Sequence, residues 1–306
     1  MNAPFDLVEV EPGRRLHVLV EGPDNAPWVV FDHGAFGTYA DGWWIKEALK
    51  ADHRVVLYGR AGMDWSDPAP EGALPTPDFH IADLKRLLAR LDARPPYVLV
   101  GHSMAGLRLH AFANLHPDEL AGRVFIDAMN PKFLRQKDGM RALKSFAAVL
   151  QLGRLASRTG VLSALAPFIG DDIDLPRERR TEKQFLFRQP QHWAAALAEA
   201  TAIDPMADYF DPAVTVNSPV SVFSCAADGG ENANIVKSVS NQGGYGRLFG
   251  LEGETHTSLL NPAHAARIAR EVRYMTRTMI PLRAPLASDT SIRDQTEIGN
   301  QGFSTR

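Results

Sequence analysis

The sequence predicts an α/β protein in which helices cover both faces of a mostly parallel β-sheet. Apolar runs of strand length occur at residues 28–31 and 97–100, and a third run, at residues 123–126, is apolar after its first residue, Arg123. Amphipathic runs of helix length lie between them, at residues 41–51 and 77–91. Because these strand runs are almost entirely apolar, we expect both faces of each strand to be buried. Strands and helices that alternate at these spacings form parallel sheets through crossover connections.

The two ends of the chain supply the remaining sheet elements. Residues 5–10 and 14–21 alternate apolar and polar side chains on either side of a Glu-Pro-Gly turn. This pattern predicts an antiparallel hairpin at one edge of the sheet. Further strands are expected at residues 219–226 and 245–251, and the last helix at residues 262–279.

The composition bounds the class of protein. With 306 residues, 45% apolar and 23% charged side chains, the chain has enough material for one large α/β domain or two modest ones. A formal net charge of −3 provides no basic field for a phosphate backbone, so nucleic acid is not an expected partner. The N-terminus lacks signal-peptide features and no apolar run is long enough to span a membrane, which predicts a cytoplasmic protein. The single cysteine, Cys225, is interpreted as a small buried hydrophobe.

The most informative motif surrounds Ser103. An apolar strand run at residues 97–100 is followed by Gly-His-Ser-Met-Ala-Gly at residues 101–106, and then by an amphipathic run at residues 107–115. In the Gly-x-Ser-x-Gly nucleophile elbow the chain reverses so sharply at the serine that its neighbours must be small. Here Ala105 occupies the position of the final glycine. The strand, turn and helix predict a serine hydroxyl exposed at the tip of a strained turn.

Four segments together resemble the α/β-hydrolase family. They are the His-Gly loop at residues 33–37, the elbow at residues 101–106, Asp228 at the end of a late strand, and His256 near the C-terminus. Their order, serine then acid then histidine, is the order of that family. The resemblance implies an eight-stranded, mostly parallel sheet flanked by helices.

The resemblance also implies a helical cap inserted into the core. It predicts a core of residues 1–131 and 215–284, a cap or lid of residues 132–214, and a flexible tail of residues 285–306. The alternative is that the inserted helices simply pack on the flank of the sheet. The inserted segment shows no comparably strong strand run, but it contains helical stretches at residues 134–152, 158–168, 178–189 and 191–202.

The resemblance implies a catalytic triad of Ser103, His256 and Asp228. A serine hydroxyl is a poor nucleophile unless a base takes its proton, and the base needs a carboxylate to fix its tautomer. Asp228 ends the strand that follows the insert, where the family places its acid. Asp127, at the end of the preceding strand, is the alternative acid, whereas Glu254 is too close in sequence to His256.

The resemblance places the oxyanion hole at the backbone N–H groups of Ala35 and Met104. Phe36 is the less favoured alternative to Ala35 as donor. We expect Phe36, His102 and Trp193 to contribute to substrate binding. No spacing of cysteine and histidine predicts a metal site, and no cofactor is implied.

The resemblance implies a serine hydrolase that cleaves a carboxylic ester, or a related acyl bond, of a small, largely apolar substrate. The serine at position 103 excludes the branches of the family whose nucleophile is an aspartate, namely haloalkane dehalogenases and most epoxide hydrolases. A carbon-carbon bond hydrolase, a lactonase, an acyltransferase and a non-catalytic small-ligand receptor remain alternatives. The expected partner is a small molecule, and the expected state is a monomer or homodimer.

Overall fold

The computed structural model of the chain describes residues 3–159, 173–203 and 218–283. Its strands are β1 (Asp6–Glu11), β2 (Arg14–Glu21), β3 (Trp28–Asp32), β4 (Arg54–Tyr58), β5 (Tyr97–His102), β6 (Leu120–Ile126), β7 (Val220–Ser224) and β8 (Gly246–Gly250). Its helices are α1 (Trp43–Leu49), α2 (Pro77–Arg90), α3 (Ala105–Leu115), α4 (Pro131–Leu134), α5 (Lys137–Thr159), α6 (Arg177–Leu186), α7 (Pro190–Ala202), α8 (Ala233–Asn241) and α9 (Pro262–Arg283).

The strands form one eight-stranded sheet in the order β1-β2-β4-β3-β5-β6-β7-β8. The pairs β1-β2 and β2-β4 are antiparallel, and the five pairs from β4-β3 to β7-β8 are parallel. The predicted hairpin and the mostly parallel α/β sheet are therefore confirmed. Because β5 lies near the middle of the sheet, the segment that leaves it has neighbouring strands on both sides.

Two apolar layers hold the helices on the sheet. Alternate residues of a strand face opposite sides, so one strand feeds both layers. Val29 and Phe31 of β3 pack in the layer that contains α1 and α9, whereas Val30 packs in the layer that contains α2 and α3. Burying a side chain of this size stabilises the fold by roughly 1.5–3 kcal/mol. This is why the central strands are apolar on both faces.

The inserted helices α4 to α7 lie between β6 and β7 in the chain. Helices α5 and α7 pack together, and a Cβ at Gly153 of α5 would collide with the Trp193 ring of α7. The expected helices at residues 134–152, 178–189 and 191–202 correspond to α5, α6 and α7. The expected helix at residues 158–168, like the tail at residues 285–306, lies mostly or wholly outside the described residues.

Polar contacts join the inserted helices to the core. Tyr39 donates a hydrogen bond to Glu182 of α6, and Lys183 of α6 forms an ion pair with Asp41 at 2.6 Å. Gln191 of α7 donates to the backbone oxygen of Ser66 at 3.0 Å. In the parts of the chain that the structure describes, no helix has the length and apolarity needed to cross a membrane.

We expect the protein to lose stability as the pH falls from about 6.5 towards 4. Burial lowers the pKa of His17, His102 and His192 to about 4. In this range the unfolded chain binds protons that the folded chain does not, so each histidine lowers the free energy of unfolding by about 1.4 kcal/mol per pH unit. Asp64 has the opposite effect, because burial raises its pKa to about 8 and the folded chain therefore binds one proton in this range that the unfolded chain does not. Urea unfolding at pH 7, 6 and 5 measures the slope, and a free energy of unfolding that stays constant contradicts this expectation.

Candidate active site

The structure contains the sharp strand–turn–helix that the sequence predicts around Ser103. Ser103 lies between β5 and α3 with a φ of +56°, in the left-handed region that side chains other than glycine rarely adopt. Its N–H donates to the backbone oxygen of Ile126 at 3.1 Å, and its own carbonyl accepts from the N–H of Met129 at 2.7 Å. A Cβ at Gly101 would lie 2.7 Å from Leu109. The turn is therefore held by backbone bonds and by the small neighbours that the motif requires.

His256 reaches the same edge of the sheet from the loop that follows β8. Its Nδ1 lies 2.6 Å from Oδ2 of Asp127, the residue directly after β6. A carboxylate oxygen accepts, so Nδ1 carries the proton and Nε2 carries the lone pair. Burial alone would raise the pKa of Asp127, but the hydrogen bond and charge of His256 outweigh it and lower that pKa below its ordinary value.

The other oxygen of Asp127 is held by the core. Oδ1 accepts from the backbone N–H of Cys225 at 3.2 Å, and the backbone N–H of Asp127 donates to the backbone oxygen of Phe223 at 2.7 Å. Cys225 is half-buried, and burial beside Asp127 raises its pKa to about 11. These two bonds hold the backbone and one carboxylate oxygen of Asp127 in place, and the other oxygen is left to accept from His256.

The structure brings Asp127, the alternative acid, to His256, and it does not bring Asp228 there. Asp228 is exposed, and its carboxylate accepts from the N–H of Gly230 at 3.0 Å, in its own turn. The physical reason lies in the strand register. His102 pairs with Ile126 across the parallel strands β5 and β6, so Ser103 and Asp127 are neighbours at the sheet edge. Asp228 follows β7, one strand further from the serine.

The expected oxyanion-hole residues flank the serine. A Cβ at Gly34 would lie 3.0 Å from Cβ and 3.5 Å from Oγ of Ser103, so the His-Gly loop passes directly over the hydroxyl. Ala35 follows in that loop, and Met104 immediately precedes α3. Among the described residues, neither of these two backbone N–H groups donates to a protein acceptor.

A cavity of about 300 Å³ opens in front of the serine. Its apolar wall includes Phe36 of the His-Gly loop and two side chains of the inserted segment, Phe146 and Phe187. The rings of Phe36 and Phe187 stack with centroids 4.6 Å apart. The residues that line the cavity are Gly34, Ala35, Phe36, Gly37, Asp41, His102, Ser103, Phe146, Lys183, Phe187, His256 and Thr257.

His102 lies on this cavity but also supports the histidine loop. Its Nε2 is 2.9 Å from the backbone oxygen of His256, and its ring lies 4.4 Å from the His256 ring. A carbonyl only accepts, so Nε2 donates. Since burial lowers the pKa of His102 to about 4, the ring is neutral at pH 7 and adds no charge beside His256.

Trp193 lies one layer behind the cavity wall. Its ring packs on Phe36 with centroids 4.1 Å apart, and its Nε1 donates to the backbone oxygen of Phe187 at 2.8 Å. Within the described residues the cavity is lined by these two phenylalanines and not by the tryptophan. In this structure Trp193 therefore packs against the wall of the cavity from behind.

The ion pair of Asp41 and Lys183 was not anticipated from the sequence. It closes one side of the cavity, with Asp41 supplied by the core and Lys183 by α6. These residues lie 142 positions apart, so no local pattern signals the pair. In the described parts of the chain, no cluster of three or more histidine, cysteine, aspartate or glutamate side chains is arranged to hold a metal ion.

Comparisons with known proteins agree with this architecture. Residues 27–152 match the family model described as alpha/beta hydrolase fold. A segment of 118 residues is 30% identical to a probable transporter of Hormonema carpetanum, covering 37% of this chain and 17% of that protein. A segment of 102 residues is 36% identical to an uncharacterized protein of Schizosaccharomyces pombe, covering 33% of this chain and 18% of that protein. The chain thus matches less than a fifth of the length of either curated relative.

Solved structures with quite different chemistries share the fold. An esterase from Thermogutta terrifontis has a TM-score of 0.64 at 19% identity, covering 87% of this chain and 94% of that one. An enol-lactonase from Burkholderia xenovorans LB400 gives 0.63 at 20% identity, with coverages of 89% and 100%. One of the epoxide hydrolases from metagenomes of hot environments gives 0.68 at 18% identity, with coverages of 89% and 98%. Its sheet topology and these matches show that the chain has the α/β-hydrolase fold.

Proposed function

We propose that the protein is a serine hydrolase that cleaves a carboxylic ester, or a related acyl bond, of a small and largely apolar substrate. Ser103 is the nucleophile, His256 the general base, and Asp127 the acid that orients the histidine. The N–H groups of Ala35 and Met104 form the oxyanion hole. The insert acts as a cap, since Phe146 and Phe187 supply apolar walls of the cavity.

One observation carries this proposal: the 2.6 Å contact between His256 Nδ1 and Asp127, next to a serine held in a left-handed turn on the same cavity. The contact fixes the tautomer in which Nε2 is free to accept a proton. A residue with positive φ costs on the order of 1–3 kcal/mol, and such strain is concentrated at functional sites. Both features are what a serine nucleophile with a histidine base requires.

The reaction proceeds in two steps that share one set of groups. Ser103 Oγ attacks the carbonyl carbon of the substrate as its proton passes to Nε2 of His256. The negative charge that develops on the carbonyl oxygen is held by the two N–H groups of the oxyanion hole, and collapse expels the alcohol, which takes the proton from His256. Water then attacks the acyl-enzyme by the same route and releases the carboxylic acid.

The nucleophile separates this proposal from other chemistries of the fold. An epoxide hydrolase or dehalogenase of the aspartate type needs a carboxylate at the elbow, and position 103 carries a hydroxyl. The cavity of about 300 Å³ has an apolar wall of three phenylalanines, which favours a small apolar acyl or alcohol group. The Asp41 and Lys183 pair is the charged part of its lining.

Turnover of p-nitrophenyl acetate and p-nitrophenyl butyrate tests the proposal. We expect saturable hydrolysis by the wild-type protein and stoichiometric labelling of Ser103 by a fluorophosphonate, located by peptide mapping. A panel of esters, lactones and β-diketones then ranks the acyl bonds that the site accepts. Hydrolysis that equals the rate of the Ser103→Ala variant overturns the proposal and favours a receptor that binds small ligands without turnover.

A further inference from the structure

Directly behind the His-Gly loop lies a cluster of buried charges, formed by Asp32, Arg60, Arg108 and Glu199. Each of these four residues is at most 5% exposed. Glu199 comes from α7 of the insert and the other three from the core. Arg60 donates to both carboxylate oxygens of Glu199, at 2.7 and 2.9 Å, and to Asp32 at 2.7 Å.

The two arginines also bind the backbone of the loop. Arg60 donates to the carbonyl oxygen of His33 at 2.8 Å and to that of Gly34 at 2.9 Å. Arg108 donates to the same His33 oxygen at 2.9 Å while it pairs with Asp32 at 2.6 Å. Neither arginine is among the residues that line the cavity, and both approach the loop at its carbonyls and not at its N–H groups.

The Gly34 carbonyl has a particular position in the chain. It belongs to the same planar peptide as the N–H of Ala35, and in a trans peptide the two groups point in opposite directions. A guanidinium that holds the carbonyl from behind therefore aims the N–H forward, towards the carbonyl oxygen of a substrate on Ser103. The positive charge of the guanidinium, bound to the carbonyl oxygen, also polarises the peptide and strengthens its N–H as a hydrogen-bond donor.

We propose that Arg60 and Glu199 are positioning residues for the oxyanion hole, so that the docked insert sets the direction and strength of the Ala35 N–H. This inference rests on the proposed serine hydrolase function. Glu199 fixes the guanidinium through a bidentate pair, the geometry that most strongly restricts an arginine. The insert then contributes to catalysis through the backbone of the core, in addition to walling the cavity.

The electrostatics of the cluster support a fixed arrangement. Burial alone would raise the pKa of Glu199, but the charge of Arg60 keeps that pKa well below its ordinary range. Two cations and two carboxylates balance within the cluster. His80 adds a contact to Glu199 at 3.1 Å. Removing one member would leave an uncompensated buried charge, which is strongly destabilising.

A charge-balanced double variant separates positioning from folding. Arg60→Met with Glu199→Leu removes one cation and one anion together and replaces them with apolar side chains of similar length, a change that is often neutral for stability. The matched control is Arg14→Met with Asp83→Leu, which removes a buried pair at 2.5 Å that joins β2 to α2 away from the cavity. Arg60→Lys is the second variant; it keeps the charge but loses the fork that spans two carbonyls.

The readouts are kcat and KM for p-nitrophenyl butyrate, the inhibition constant of a trifluoromethyl ketone that forms an oxyanion on Ser103, and the unfolding midpoint. For the double variant we expect kcat to fall 10- to 100-fold, KM to stay within threefold, and the inhibitor to weaken by the same factor as kcat/KM. The control pair keeps wild-type kcat. For Arg60→Lys we expect about a tenfold loss of kcat.

The outcomes discriminate between the two proposals. A folded double variant with wild-type kcat and inhibitor affinity overturns the positioning role and leaves the serine hydrolase function intact. If the double variant does not fold, Arg60→Lys decides by the same two readouts, and unchanged values again overturn the role. If the wild-type protein shows no turnover that depends on Ser103, the proposed function fails and the inference fails with it.

Discussion

Replacing Ser103 with alanine is expected to lower kcat/KM for p-nitrophenyl butyrate on the order of 10⁴-fold or more. Removing the nucleophile of a triad leaves only the contribution of binding and of the oxyanion hole. The loss should appear in kcat with little change in the unfolding midpoint. Ser103 is only partly buried, and its backbone bonds to Ile126 and Met129 do not depend on the hydroxyl.

The alanine variant should keep the backbone turn at position 103 and lose catalytic activity. A small gain in stability is compatible with this expectation, since a hydroxyl on a strained turn contributes no bond to the fold. Loss of fluorophosphonate labelling in the same variant identifies the reactive oxygen. Retained labelling at another residue would contradict the assignment of Ser103.

Asp127→Asn is expected to lower kcat about 10⁴-fold, whereas Asp228→Asn leaves kcat within twofold. An asparagine can present its NH₂ to His256 and favour the wrong tautomer, with the proton on Nε2. Asp228 makes its bond to Gly230 in an exposed turn, so its amide replacement affects only that turn. The two variants change the same functional group at the ends of two adjacent strands, β6 and β7.

Steady-state kinetics of these two variants, with circular dichroism to verify folding, measures the difference. A large loss in Asp228→Asn with normal activity in Asp127→Asn would show that the acid is supplied from β7 after all. Asp127→Asn replaces the charged hydrogen bond to His256 with a neutral one, while its oxygen still accepts from the N–H of Cys225, so a modest loss of stability is expected. That loss is expected to be about 1 kcal/mol, the usual contribution of one hydrogen bond.

Much of the fold could be predicted from local sequence. The runs at residues 28–31 and 123–126, which are apolar apart from Arg123, are strands β3 and β6 because both of their faces are covered. The elbow was predictable because the constraint is steric and local: only small residues fit around a serine with positive φ. These features depend on a few consecutive residues, which a pattern can encode.

The triad acid could not be chosen in the same way. Both β6 and β7 are followed by an aspartate, at positions 127 and 228, and both strands end at the same edge of the sheet. Which aspartate receives His256 depends on where a loop 129 residues away from Asp127 reaches the sheet. The pair of Arg60 and Glu199 is similarly hidden, since its members lie 139 positions apart.

The short backbone stretch of residues 127–131 has a consequence for engineering. It begins at the acid, passes through Met129, whose N–H binds the Ser103 carbonyl, and ends where α4 opens the insert. The proposed nucleophile, the proposed acid and the start of the insert are thus joined by adjacent backbone segments. A chimera that exchanges inserts between relatives should be spliced beyond Pro131, and it must carry Glu199 with the new segment to retain the charge partner of Arg60.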